Sequence, residues 1–195
     1  TPGGSDNVEK MFNGIETAGK RILDIGCGLG GQAFEMVNTF GADVVGIDLE
    51  APLIKRATEA ATKMGLQDRC KFHAVKAGAL DFPDQSFDIV ATSAAITQVK
   101  DKANIFGESY RVLKPGGYLT CYDWTKSEEP LSEDMFYWFK MEGLTFALET
   151  LEEYKAHLKK IGYIDVTIKD ASDWYRNQAR REYELIKGRL YPRMV

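Results

Sequence analysis

Ile22-Leu23-Asp24-Ile25-Gly26-Cys27-Gly28-Leu29-Gly30-Gly31 is a short apolar run that ends in glycines and leads into Ala33, Phe34, Met36 and Val37. A β-favouring run stopped by glycine reads as a buried strand, and the apolar spacing after it reads as a helix. The alternation then repeats along the chain. Val44 to Asp48 predicts a second strand, and Pro52 to Met64 a second crossover helix with its proline near the first turn. Lys71 to Val75 predicts a third strand, Phe87 to Thr92 a fourth and Ala103 to Leu113 a helix. Tyr118 to Trp124 follows as a fifth strand after the turn Pro115-Gly116-Gly117. Ahead of all of them, Ser5 and Asp6 offer an N-cap to a helix of about four turns bearing Val8, Met11, Phe12 and Ile15. Strands alternating with helices imply an α/β, doubly wound, mostly parallel sheet with helices on both faces, because right-handed crossovers pack only that way.

The pattern changes between Ser132 and Ala147. Met135, Phe136, Trp138, Phe139 and Met141 surround a helix there, more bulk than one core-facing stripe needs. Residues 130–150 therefore read as a substrate-covering insertion within a single domain of residues 1–195. Leu151 to Ile161 predicts a further amphipathic helix, Tyr163 to Ile168 a further strand, and Ala171 to roughly Leu190 a last helix.

The chain has 195 residues, 44% of them hydrophobic, enough for one well-buried core. A formal charge of −4 and a pI near 5.3 leave no basic surplus for phosphates, which argues against nucleic acid as the main partner and for a small soluble substrate. No stretch approaches eighteen apolar residues and no signal pattern opens the chain, so no membrane partner is expected. Cys27, Cys70 and Cys121 are odd in number and lack any C-x-x-C, as expected of a protein of the reducing cytoplasm. The sequence starts at Thr1-Pro2-Gly3-Gly4 and stops just after Tyr191-Pro192-Arg193, which reads as trimmed ends. Nothing in it sets an oligomeric state.

A strand that ends in glycines and feeds a helix lets backbone approach a ligand and turns helix N-terminal N–H groups toward it. Such a loop is a nucleotide site. Gly26, Gly28 and Gly31 satisfy the dinucleotide pattern G-x-G-x-x-G, while Gly26, Gly28 and Gly30 satisfy the tighter G-x-G-x-G of methyltransferases. About twenty residues on, Asp48 ends the second strand, where a carboxylate accepts from ribose hydroxyls; an alternative is a helix cap before Pro52. Asp24 separates the two cofactors. A carboxylate inside an apolar strand is expensive unless paired; at the strand's carboxyl end it can pair with loop N–H groups or with a ligand cation such as the amino group of a methionine-derived cofactor, whereas a pyrophosphate would be repelled.

In order along the chain, Leu23 to Gly31, Gly46-Ile47-Asp48, Phe82-Pro83-Asp84-Gln85-Ser86-Phe87-Asp88-Ile89-Val90 and Arg111-Val112-Leu113-Lys114-Pro115-Gly116-Gly117 resemble class I S-adenosylmethionine-dependent methyltransferases. The opening Gly3-Gly4, the stretch Leu151-Glu152-Glu153-Tyr154 to Gly162-Tyr163, and Asp170 to Tyr175 are similar to the phosphoethanolamine and sarcosine/dimethylglycine N-methyltransferases. The resemblance implies a Rossmann-like methyltransferase fold with S-adenosyl-L-methionine as cofactor and S-adenosyl-L-homocysteine as product. Asp24, Gly26, Cys27, Gly28, Gly30, Asp48, Leu49, Gly78, Ala79 and Ser93 are the expected cofactor contacts. Three departures bear on the acceptor. Gln98 stands where that family has a catalytic histidine, Ala94 where it has an acid, and Glu142 with Leu144 where it has phosphate-binding Arg and Tyr. An acidic contact to adenine is likewise replaced, by Lys76 or Gly78.

These departures favour a small acceptor methylated on an amine nitrogen, over phosphoethanolamine itself. Gln98, Trp124 and Glu142 are the candidate catalytic positions. The face of Trp124 would hold an amine by cation–π attraction of roughly 1 kcal/mol or more, the alternative being a plain core residue; Glu142 would pair with a cation, the alternative being a solvated charge on a mixed helix; Tyr137 and Trp138 are lid candidates. Alternatives are O- or C-methylation of a small natural product, an inactive cofactor-binding scaffold subunit, and a nicotinamide dehydrogenase. His73 reads as structural, His157 as a surface residue and the run Tyr175, Arg176, Arg180, Arg181 as a solvated face. No metal-ligand spacing is present.

Overall fold

The computed structural model describes residues 4–187. Among them, five strands form one wholly parallel sheet in the order β3-β2-β1-β4-β5. These are β1 (Arg21–Ile25), β2 (Asp43–Asp48), β3 (Cys70–Ala74), β4 (Phe87–Ser93) and β5 (Leu113–Tyr122). The doubly wound expectation holds. The chain reverses its winding direction between β1 and β4, so the carboxyl ends of those two strands open the crevice where ligands bind in such sheets.

Each face of the sheet has its own apolar layer. On one side Ile22, Val44, Ile89 and Ala91 meet helices α1 (Gly4–Phe12), α2 (Gly31–Asn38) and α3 (Ala51–Lys63) through Val8, Met36, Ile54 and Ala57. On the other, Leu23, Val45, Phe87 and Val90 meet α4 (Lys102–Val112) and α6 (Leu151–Ile161) through Phe106 and Tyr154. Two further helices, α5 (Glu133–Glu142) and α7 (Ser172–Leu185), bury none of their residues.

Several boundaries move for local reasons. The first helix spans 9 residues and ends at Phe12, before Ile15, as the chain turns through Gly14 at φ +82°. Helix α5 ends at Glu142 rather than Ala147, because Gly143 at φ +66° closes it with a left-handed cap. Residues 163–168 form no strand among the described residues. Tyr163 and Ile168 pack on the α4/α6 layer, but among the described residues the segment pairs with no strand, and an apolar period alone does not make one. The expected reach of the last helix to Leu190 lies outside the described residues.

Pro115-Gly116-Gly117 sits inside β5 rather than before it. Register slips from Phe87↔Leu113 to Ile89↔Tyr118, so Lys114 to Gly117 bulge opposite Asp88. Gly117 is required there, since a Cβ would stand 2.7 Å from the Asp88 carbonyl oxygen. The bulge lies at the amino end of the sheet, away from the crevice. Lys114 Nζ pairs with Asp88 at 2.8 Å, and the other carboxylate oxygen accepts from Arg21 N–H at 2.9 Å.

Candidate active site

Asp24 is the fourth residue of β1, in register with Gly46 of β2 and Ala91 of β4. It is 2% exposed, and its Oδ2 has no hydrogen-bond donor among the described residues. Burial, helped by the Asp48 carboxylate, pushes its carboxyl up to about 7. Asp48 closes β2 and anchors the loop: Oδ2 accepts from Gly28 N–H at 2.9 Å and Oδ1 from Glu50 N–H at 3.0 Å. Gly26 and Cys27 N–H both donate to Ile47 O, at 2.8 and 3.1 Å. The glycine loop therefore hangs on the end of β2, which is why the two motifs occur together.

The three glycines are required for different reasons. Gly26 has φ +75°, and a Cβ there would lie 2.3 Å from Ala95 Cβ, so it packs against the loop after β4. Gly30, at φ +82°, makes room for Phe72 and Phe34, whose ring atoms would lie 2.8 and 2.9 Å from an added Cβ. Gly28, at φ +53°, has open space beside it. Only Gly28 combines left-handed backbone with room for a ligand.

The other expected cofactor contacts spread along the same edge. Leu49 is exposed after β2, Cys27 is buried with its thiol pushed far up by that burial, and Gly78 and Ala79 are exposed ahead of buried Leu80. Ser93 ends β4, and its Oγ accepts from Gln32 Nε2 at 3.0 Å and from Asn7 Nδ2 at 3.3 Å. Sequence reasoning missed Asn7 and Gln32. The available signal was Asn7 itself, a polar residue at the buried spacing of α1, fully enclosed beside Val8 and Met11.

The loop after β3 is braced from below. Arg111 donates to Leu80 O and Phe82 O at 2.8 Å each, pairs with Asp84 at 2.8 Å, and makes two bonds to Glu108 at 2.8 and 2.9 Å. Glu108 Oε2 also accepts from Leu80 N–H at 2.7 Å. Two of the motifs that carry the resemblance thus bind each other. Arg111→Ala is expected to lower the unfolding free energy by about 2 kcal/mol, measured by urea denaturation, with faster amide exchange confined to residues 78–84.

Across the crevice, Gln98 ends a 3₁₀ turn (Ile96–Gln98) and is exposed. Ala94, at φ +56°, donates its N–H to Tyr122 O at 2.8 Å, which sets this turn beside the end of β5. Trp124 lies two residues past β5, stacked on Trp138 of α5 at 4.7 Å and 11° and edge-on to Tyr175 of α7 at 5.0 Å. Trp138 and Phe139 extend this wall to Phe146. Glu142 joins it indirectly, for its Oε1 accepts from Trp138 Nε1–H at 3.2 Å. The platform expected of Trp124 is narrower than a free ring, because Trp138 already covers one face.

Tyr137 is 66% exposed and takes no part in that wall. His73 is exposed on edge strand β3 rather than packed, and His157 Nε2 stands 3.1 Å from Glu149 Oε2. Tyr175 leaves the expected solvated face to meet Trp124, while Arg176 pairs with Asp173.

A family described as "Methyltransferase domain" matches residues 16–181. The chain belongs to that family. This methyltransferase domain is 30% identical over 186 residues to phosphoethanolamine N-methyltransferase 3 of Arabidopsis thaliana, covering 95% of this chain and 37% of that protein. It is 32% identical over 173 residues to 27-O-demethylrifamycin SV methyltransferase of Amycolatopsis mediterranei, covering 88% and 64%. Haemonchus contortus phosphoethanolamine N-methyltransferase 2, solved in complex with S-adenosyl-L-methionine, superposes with a TM-score of 0.92 at 28% identity, covering 100% of this chain and 45% of that one. The chain thus spans about a third to two thirds of the length of these relatives. With the family shown, the dinucleotide reading of Gly26, Gly28 and Gly31 is set aside.

Proposed function

We propose that this methyltransferase domain binds S-adenosyl-L-methionine at the carboxyl ends of β1 and β2 and methylates a small-molecule acceptor on an amine nitrogen. Asp24 carries the reading: a buried carboxylate oxygen without a donor lacks what an ammonium group supplies. The open space at Gly28 and the remaining lone pairs of Asp48 fit the rest of the ligand. When bound, the cofactor supplies a sulfonium methyl, and S-adenosyl-L-homocysteine is the product. The chain's own task is to position and desolvate the nucleophile. An amine that has shed its proton needs no strong base, so Gln98 suffices at the place where the resemblance implies a histidine. Glu142 and Leu144 put no cation in place for a phosphate, so phosphoethanolamine is not the acceptor proposed.

A second reading, O-methylation of a small natural product, is favoured by the aromatic wall of Trp124, Trp138, Phe139, Phe146 and Tyr175 and by the name of the Amycolatopsis relative. We read residues 1–195 as one domain, with residues 130–150 covering the acceptor. The stacking of Trp138 on Trp124 supports that cover. Among the described residues no helix is long and apolar enough to cross a membrane, and the three cysteines are unpaired, which fits a cytoplasmic protein.

Calorimetry with S-adenosyl-L-methionine and NAD, followed by methyl-transfer assays on amine, phenol and carboxylate panels, tests the proposal. Binding of the first cofactor alone and turnover of amines are expected. Turnover of oxygen acceptors only would select the second reading, and binding without any turnover a scaffold role.

A further inference from the structure

Asp123, one residue past β5, accepts two hydrogen bonds and faces a third backbone donor. The Tyr154 hydroxyl of α6 donates to Oδ2 at 2.7 Å, and Trp124 N–H donates to Oδ1 at 2.9 Å. The Thr97 N–H, in the 3₁₀ turn, faces the same carboxylate and favours its charged form. Thr97 O in turn accepts from Ala147 N–H at 2.8 Å, and Lys102, 1% exposed in α4, donates its ammonium to Val99 O and Ala147 O. One carboxylate thus ties the turn that ends in Gln98 to the segment that carries Trp124.

Folding alone gives no reason for a charge at this point. Burial raises the Asp123 carboxyl to about 6 in spite of the three donors and Lys102. Its folded value lies above the ordinary 3.8, so the contribution to stability is present while the group is protonated and is lost as pH rises through about 6. A half-buried carboxylate with a raised titration point, hydrogen-bonded between α6 and the end of β5, is a candidate for a functional role.

We propose that Asp123 is a positioning residue for the acceptor site, its ionised carboxylate holding Thr97 and Trp124 so that Gln98 and the Trp124–Trp138 wall face one mouth. This rests on the acceptor site lying at that mouth. The charged and titratable groups around it are Tyr154, Glu149 and Glu153 on or beside α6, Lys102 on α4 and Cys121 on β5, with His157 against Glu149. Protonation below about 6 turns the carboxylate into a weaker acceptor and slackens its hold on the Trp124 and Thr97 N–H groups.

The test reads the tryptophan pair without turnover. Near-ultraviolet circular dichroism and fluorescence are followed against pH in the wild type, Asp123→Asn, Tyr154→Phe and a His157→Gln control, with Trp138→Leu identifying the signal of the stack. Expected are a wild-type transition near pH 6, its absence in Asp123→Asn, a higher midpoint in Tyr154→Phe and no change in His157→Gln. S-adenosyl-L-homocysteine affinity should change less than about threefold, while kcat/KM for an acceptor found in the panels falls about tenfold or more, mostly through KM. A folded Asp123→Asn protein that keeps the wild-type transition overturns the proposal, even if its melting temperature falls. Should that variant not fold, an unmoved midpoint in Tyr154→Phe overturns it equally. Wild-type protein that binds no S-adenosyl-L-homocysteine would instead sink the parent reading.

Discussion

Asp24→Asn is expected to weaken S-adenosyl-L-methionine binding about a hundredfold and to abolish its dependence on pH. The magnitude follows from removing one member of a buried charge pair, roughly 3 kcal/mol. Because the carboxyl sits at about 7 in the free protein, an incoming ammonium must first drive off a proton at lower pH. Wild-type affinity should therefore fall about tenfold per unit below pH 7. It should fall again above the α-amino range of about 7.7–8.0 as the ligand's own ammonium titrates. Titration calorimetry from about pH 5 to 9 reads both limbs.

Stability should move the other way. A folded value near 7 against an ordinary 3.8 means that the stabilising form of Asp24 is protonated, and roughly 4 kcal/mol is lost as pH rises from about 4 through 7. The asparagine variant without ligand should thus melt at or above the wild-type temperature at pH 8. Lower stability together with unchanged affinity would remove Asp24 from the site.

Gly26→Ala is expected to destabilise the domain by about 3 kcal/mol, the sum of left-handed strain of roughly 1 kcal/mol and overpacking of roughly 2 kcal/mol where the new Cβ meets Ala95. The same change at Gly28 adds a methyl into open space. Gly28→Ala should therefore cost only about 1 kcal/mol of stability yet weaken cofactor binding about tenfold or more, because it occupies the space a ligand needs. Adding Ala95→Gly to Gly26→Ala should restore the packing share but not the strain, giving a coupling of about 2 kcal/mol in urea unfolding. Equal losses at Gly26 and Gly28 would refute this division of roles.

The glycine loop was legible because everything that defines it lies within ten consecutive residues or at the end of the next strand. Asp24 stands out in the sequence as one carboxylate in an apolar run, and the structure leaves its Oδ2 without a donor among the described residues. Pro115-Gly116-Gly117 was legible only as a motif. Its position, a bulge at the amino end of β5 opposite Asp88, separates it from the proposed cofactor site and gives it a role in sheet register. The pairing of Asn7 and Gln32 with Ser93 is illegible in the sequence because it spans 86 and 61 residues of chain. Glu142 looked like a free anion on a mixed helix and is tied to Trp138.

Apolar period, glycine placement and the order of strands and helices were set by the sequence alone, because backbone preference and side-chain spacing act within a few residues. Which strand ends became neighbours was decided by tertiary structure. Only the sheet order brings Asp24 beside Asp48, Ala95 onto Gly26 and Thr97 to Asp123, because those contacts join segments far apart in the chain. The cofactor loop therefore belongs to local sequence. The acceptor mouth we propose, assembled from the ends of β4 and β5 with α5, α6 and α7, belongs to the packed fold.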